Sequence, residues 1–284
     1  MLLSILWGMS FLLVELSLVE LSPLWVVSGR TVSGGLTLLA ILLMTGRRLP
    51  ATRQVWGHLA LLGAVNNALP WTLISWSQQT IPSGLAALLV AMVPTSTLLV
   101  ATVVGLDRVT GRRLVGLLLA VGGVAAIVLE DLGQPGRIVA VLTVVAATMA
   151  LASGAVYAKL HVSGSVPPLA LATGQILCAA AISTPLALLI DGPPAAGGLL
   201  PQTWAAVLLL GTTGTSVAFL VFYVLVERVG PTNATMVTYL IPIVAVLSGT
   251  LLLDERLGVT TVIGGGLIVS GIAVSQLGLR RVSR

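Results

Sequence analysis

From Gln54 to Leu106 the chain reads QVWGHLALLGAVNNALPWTLISWSQQTIPSGLAALLVAMVPTSTLLVATVVGL, without one Asp, Glu, Lys or Arg. A membrane-spanning helix takes ~20 mostly apolar residues, so the stretch is too long for a single crossing. QQTIP, Gln78 to Pro82, splits it into two crossings, 56–78 and 83–105. The rest of the chain has the same character. Of 284 residues 57% are hydrophobic and 8% charged, and the mean hydropathy is +1.09. A soluble domain carries about 25% charged residues, and this chain has too few to cover a water-facing surface.

Runs cut at charges, prolines and glycine-rich breaks give ten spans: 2–21, 24–45, 56–78, 83–105, 111–129, 139–160, 168–190, 202–226, 231–253 and 258–278. The first carries Glu15 and Glu20 and reads as a retained helix, because MLLSILWGMSF lacks the basic start of a signal peptide. The net charge of +5 does not point to nucleic acid, since the basic residues are scattered over short loops. Their placement is topological instead. Arg47, Arg48, Arg53, Arg108, Arg112, Arg113, Lys159, Arg228, Arg280, Arg281 and Arg284 fall on one side, and only Arg137 and Arg256 on the other. Lys and Arg mark cytoplasmic loops, so both termini are expected in the cytoplasm. Cys178 is the single cysteine, which excludes an intramolecular disulfide and a Cys–His metal cluster.

The two halves resemble each other. Gly63, Pro94, Asp107-Arg108 and Gly116 recur 148 residues later as Gly211, Pro242, Glu255-Arg256 and Gly264, and Pro82 matches Pro231 at 149. The repeats read as 1–130 and 138–279, followed by a basic cytoplasmic tail, 280–284. Five helices is an odd number, so the second copy is inverted relative to the first. Inverted repeats are a common device of secondary transporters, with the solute bound at the repeat interface. The fold class expected is therefore all-α integral membrane, ten transmembrane helices in two inverted five-helix repeats.

Particular residues carry a resemblance over essentially the whole chain. They are Trp7-Gly8, Arg30 within PLWVVSGRTVSGGL, SGLAALLVAMVPTSTLLVA from Ser83, LLLDERLG from Leu251, and the glycine-rich IGGGLIVSGI of the last span. On these the chain resembles the EamA-like branch of the drug/metabolite transporter superfamily. One departure is GLDRVT, where the family pattern has two acids before the Arg and this chain has only Asp107. The resemblance implies a multi-pass transporter of the cell (inner) membrane with a small-molecule substrate, working by alternating access and exporting metabolites, amino acids or drugs. It implies proton coupling or exchange, leaves a homodimer open, and points to no nucleic acid and no cofactor.

Ionisable groups inside a bilayer are costly and mark function by default. Glu15 lies seven residues before Ser22 and Arg30 seven residues after Pro23, which puts both ~10 Å below the extracytoplasmic end. They are expected to pair or share a water-filled cavity, Arg30 drawing an anionic group and Glu15 titrating or gating. In the third span Asn66 and Asn67 near mid-depth, then Pro70, Trp71 and Trp76, offer amide handles beside an apolar wall. Tyr223 and Tyr239 are further ligand-contact candidates. Pro94 and Pro242 sit mid-span in matching helices, where proline kinks the chain, and are read as conformational points. The Ser and Thr residues of GTTGTSVAFLVFY read mainly as hydroxyls bonded within their own helix. No nucleotide-binding loop, zinc-protease or serine-hydrolase motif is present. A secondary carrier of an amphipathic small solute leads. An intramembrane enzyme on lipid-linked substrates, or a non-transporting receptor or subunit, are the alternatives.

Overall fold

The computed structural model describes the chain except residues 108–109, 131–132, 163, 165, 195–197, 230–236, 238–239, 256–257 and 277–284; at 130, 223, 226–229 and 276 it describes only the backbone. Hydrocarbon offers backbone N–H and C=O groups no partner, so each crossing must satisfy its own. The described residues accordingly form ten helical segments, six of which contain a stretch long and apolar enough to cross a membrane. They are α1 (Leu2–Leu18), α2 (Pro23–Met44), α3 (53–78), α4 (Ser83–Val103), α5 (Gly111–Glu130), α6 (Pro135–His161), α7 (Pro168–Ile190), α8 (201–229), α9 (Ile241–Leu252) and α10 (Val259–Gln276). Proline opens α2, α6, α7 and α8, the position where a missing N–H costs nothing.

Three crossings are interrupted. In α3 one π-helical turn, Gly63–Ala68, joins Arg53–Leu62 to Leu69–Gln78; in α8 the turn Thr212–Val217 joins Pro201–Gly211 to Ala218–Val229. The helix of α4 breaks at Ala91 and Met92, and Pro94 sits at the start of its second piece, Val93–Val103. Pro242 holds the same place at the start of α9. Glu20 ends up beyond α1. Its carboxylate accepts from the Leu200 amide at 2.9 Å and from the Thr203 hydroxyl, at the head of α8. Glu255 does the same for α4, accepting from the amides of Ser83 at 2.9 Å and Gly84 at 3.2 Å. A carboxylate there meets unpaired amides and the positive end of the helix dipole. Asp107, its counterpart in the first half, pairs with Arg113 at 2.5 Å.

The packing repeats itself. α1 lies on α8 and α9, and α6 lies on α3 and α4; α2 packs on α8, and α7 packs on α3. The remaining main pairs are α2 with α7, α4 with α9 and α5 with α10. Replacing each helix by the one five places along leaves these pairings unchanged.

The α5–α10 contact shows the relation at residue level. A Cβ on Gly116 would lie 2.4 Å from the Gly271 carbonyl oxygen, and one on Gly271 would lie 2.5 Å from that of Gly116. Gly123 and Gly264 face each other in the same way, at 2.4 and 2.7 Å. At an offset of 148 residues the two contacts exchange. The later glycine of α5 meets the earlier glycine of α10, so these equivalent helices run antiparallel and one half is inverted.

Lipid removes the hydrophobic drive between helices, which leaves close backbone approach and polar contacts to hold them. Both are present: the Ser28 and Thr184 hydroxyls meet at 2.7 Å and those of Thr31 and Ser183 at 3.1 Å, between α2 and α7.

Neighbouring glycines of α5 give a direct test. Gly122 has nothing within 4 Å of a built Cβ. Gly123→Ala is expected to destabilise by about 1–3 kcal/mol and to lower the melting temperature of the detergent-solubilised protein, whereas Gly122→Ala leaves it unchanged or raises it.

Candidate functional site

The site begins at the two π turns. Such a turn closes its hydrogen bonds five residues back and inserts one extra residue into the helix. Each is entered by a glycine lodged on a neighbouring backbone. A Cβ on Gly63 would lie 2.7 Å from the Gln175 carbonyl and 2.9 Å from the Ala179 amide of α7. One on Gly211 would lie 2.7 Å from the Arg30 carbonyl and 2.8 Å from the Gly34 amide of α2. Inside the turns, side chains bond to the carbonyl five residues earlier. Asn67 Nδ2 donates to Leu62 at 3.3 Å, Thr215 Oγ1 to Leu210 at 3.2 Å, and Ser216 Oγ to Gly211 at 3.1 Å. Asn67 and Thr215 are 148 residues apart, so they occupy one position of the repeat.

Beside the first turn lies a cavity of about 310 Å³. One face of α3 supplies much of its lining, with Asn67, Trp71, Ile74, Ser75 and Gln78 at helical spacing and Asn66 beside them. α1 adds Trp7, Ser10, Phe11 and Val14, and the broken stretch of α4 adds Val90, Ala91, Val93 and Pro94. Leu151 of α6, Phe219 of α8 and Ile241 of α9 complete it. Gly8, beside Trp7, is pressed on α9, where a Cβ would meet Val244 at 2.6 Å. The Trp7-Gly8 pair thus puts one residue on the cavity and the other on the seam between halves.

Arg30 is the cavity's cation. Its guanidinium carbon lies 3.8 Å above the Trp71 ring centroid, and its Nε donates to Thr215 Oγ1 at 2.9 Å. Its terminal nitrogens have no partner among the described residues. On two of the lining residues an acceptor is also unengaged: Asn67 Oδ1 and Gln78 Oε1 are buried without a hydrogen-bond partner. Gln78 Nε2 donates to the Phe11 carbonyl at 3.0 Å and to Glu15 Oε2 at 3.3 Å. A guanidinium, an aromatic plate and the amide side chains of Asn66, Asn67 and Gln78 therefore border a mostly apolar space. Buried polar groups seek partners, and a solute bearing both an anionic and a donor group would supply them.

The residues singled out from sequence fall into place unevenly. Arg30, Asn66, Asn67, Trp71 and Pro94 line the cavity together. Asn66 also rests on Gly154 of α6, where a Cβ would meet its Oδ1 at 2.8 Å. Glu15 and Arg30 form no ion pair; Glu15 reaches the cavity through Gln78. Trp76 is 41% exposed and stands on the outer surface, away from the cavity. Pro242 is buried at the start of α9, next to Ile241 of the lining. Tyr239 lies outside the described residues, as does the side chain of Tyr223. Gln78 is not singled out from sequence, and Thr215 reads there as a hydroxyl bonded within its own helix. Gln78 continues the Asn67, Trp71, Ile74 periodicity, and that spacing was the available signal for it.

Comparison with known proteins bears directly on this arrangement. The model of the EamA-like transporter family matches residues 1–129 and again 138–276. The chain belongs to the EamA-like transporter family. The uncharacterized inner membrane transporter YedA of Escherichia coli (strain K12) is 30% identical over 96% of this chain and 88% of its own length. A probable amino-acid metabolite efflux pump of the same organism is 24% identical, covering 97% of this chain and 93% of that one. A probable terminal-alkyne amino-acid exporter of Streptantibioticus cattleyicolor is 28% identical over 83% of this chain and 79% of its own. A crystal structure with 20% identity and a TM-score of 0.69 covers 99% of this chain and 96% of its own, and shares the fold.

This EamA-like chain is thus a multi-pass membrane transporter, and the cavity is the candidate solute site. Filling it tests the assignment. Ala91→Phe introduces a ring at the α4 break, and transport is expected to fall sharply as the ring occupies solute space, while the protein still inserts, with a melting temperature lowered by the overpacking of this buried position.

Proposed function

We propose that this EamA-like transporter exports small amphipathic zwitterions, neutral amino acids foremost, by alternating access of its two repeats. The observation that carries the reading is Arg30, stacked on Trp71 at the wall of a cavity that Asn66, Asn67 and Gln78 also line, with Asn67 Oδ1 and Gln78 Oε1 left without hydrogen-bond partners. A carboxylate would pair with the guanidinium in bidentate fashion. An ammonium would find the amide oxygens, with Glu15 behind Gln78. The side chain would lie on Trp7, Phe11, Val14, Ile74 and Phe219. The names of two relatives, an amino-acid metabolite efflux pump and an amino-acid exporter, agree with this class and favour outward movement. The site is a solute site rather than a catalytic one, and the chain is read as a carrier, not an enzyme.

The repeats are 1–130 and 138–279, with 280–284 a basic cytoplasmic tail. The segregation of Lys and Arg supports cytoplasmic termini, which puts Glu15 and Gln78 in the extracytoplasmic half. Glu15 is the one carboxylate hydrogen-bonded to a residue of the cavity lining among the described contacts and is proposed as the proton carrier.

Proteoliposome flux of radiolabelled L-leucine tests the reading. The parent is expected to carry leucine, Arg30→Gln to lose at least about tenfold in rate over KM, as loss of a charged hydrogen-bonding partner predicts, and L-leucinamide to be indifferent to that change. Equal leucine transport by Arg30→Gln removes the arginine from the site. Glu15→Gln is expected to abolish the dependence of flux on a pH gradient; a retained response removes Glu15 from coupling. Tags at both ends should be reached only from the cytoplasmic side.

A further inference from the structure

We infer that Thr215, on the π turn of α8, is the positioning residue that holds the Arg30 guanidinium in the orientation needed to receive the solute's carboxylate. The inference rests on the reading of Arg30 as the solute's anchor and adds a residue from the opposite half of the molecule. An arginine side chain has several free torsions, and stacking on Trp71 restrains only its distance from the ring. It leaves the guanidinium free to turn within the ring plane. A hydrogen bond at Nε removes that freedom and directs both terminal nitrogens the other way, as a fork that matches a carboxylate.

Thr215 is built to give that bond in one sense only. Its hydroxyl proton is committed to the Leu210 carbonyl at 3.2 Å, so a lone pair is left for Arg30 Nε at 2.9 Å. The residue is fully buried, and so cannot exchange these partners for water. The extra residue of the turn is what brings it there. Leu210, five positions back, accepts from it, and the neighbouring Ser216 hydroxyl fastens the same turn to the Gly34 carbonyl of α2 at 2.8 Å. Close approach of Gly211 to the Arg30 and Gly34 backbone leaves α2 and α8 no slack. Arg30 and Trp71 belong to the first half and Thr215 to the second, so the anchor is correctly set only when the halves are docked as in this structure.

Thr215→Val keeps the shape and removes the hydroxyl. In leucine flux it is expected to raise KM about tenfold, the effect of losing one hydrogen bond to a charged group, with the maximal rate little changed. Thr215→Ser should return KM to near the parent value, and L-leucinamide flux should not respond to either change. Thr215→Val added to Arg30→Gln should cost nothing further, since the two act as one unit. An unchanged KM in Thr215→Val overturns the proposal. So does a Thr215→Ser protein as impaired as Thr215→Val, which would mean that the side chain merely packs. If Arg30→Gln abolishes leucine flux while Thr215→Val transports normally, the arginine reading stands and the positioning role falls.

A solute-free readout covers the case in which leucine is not carried. The emission of Trp71, taken as the difference between parent and Trp71→Phe protein, should shift in Thr215→Val and not in Thr215→Ser. An unshifted Thr215→Val spectrum also overturns the proposal. Thr215→Ala replaces Thr215→Val in every arm if the valine protein does not insert.

Discussion

The interior of a bilayer gives a polar atom nothing to bond with, and the whole molecule is arranged around that shortage. Backbone groups are closed within helices. Hydroxyls of Ser10, Ser17, Thr31, Thr37 and others are folded back on carbonyls of their own helix. Carboxylates at the membrane edge, Glu20 and Glu255, are spent on the open amides at the heads of α8 and α4. Against that background the unmatched groups around the cavity carry information. Asn67 Oδ1 and Gln78 Oε1 are buried with no partner, as are the hydroxyls of Ser83 and Thr95, but the two amides belong to residues that line the space also holding the Arg30 guanidinium.

Crossing number, the inverted relation of the halves and the family were legible in the sequence, for physical reasons. Apolar runs of spanning length leave only one way to satisfy the backbone, and the 148-residue offset of Pro94, Asp107 and Gly116 marks a proline near a helix start, an acid with a local partner and a close-packed glycine in each half. The site was legible in part. Arg30 and Asn67 stood out because charge and amide are expensive at depth. Gln78 was hidden by position: it reads as part of the polar break QQTIP, and only the three-dimensional face of α3 returns it to the cavity. Thr215 was hidden by chemistry. A threonine in an apolar helix normally satisfies its own backbone, and nothing in the letters GTTGTSV announces a π turn. Trp76 reads from sequence as a companion of Trp71 in the third span, but it falls on the exposed side of that helix, away from the cavity.

The π turns also explain why the repeat is visible as structure where residue identity has been lost. Asn67 and Thr215 differ in size and chemistry, yet both reach back five residues to a carbonyl, and Gly63 and Gly211 let both turns press on the backbone of the neighbouring half. What is retained is a geometry, one inserted residue beside one close crossing. What has diverged is the group presented from it: an amide with a bare oxygen in the first half, a hydroxyl fully occupied by Arg30 and Leu210 in the second.

That divergence bears on direction. The cavity takes most of its lining from α1 to α4, with Leu151, Phe219 and Ile241 the sole additions from the other half among the described residues. Two faces served by unequal equipment hold a solute with unequal half-saturation. In a carrier moving its solute alone, detailed balance requires the ratio of maximal rate to half-saturation to be the same from either side, so the face that binds more tightly turns over proportionately more slowly. A lopsided site therefore sets how readily the carrier fills from each compartment. It cannot act as a valve, and sustained one-way flow must be driven by a concentration difference or by an ion that travels with or against the solute.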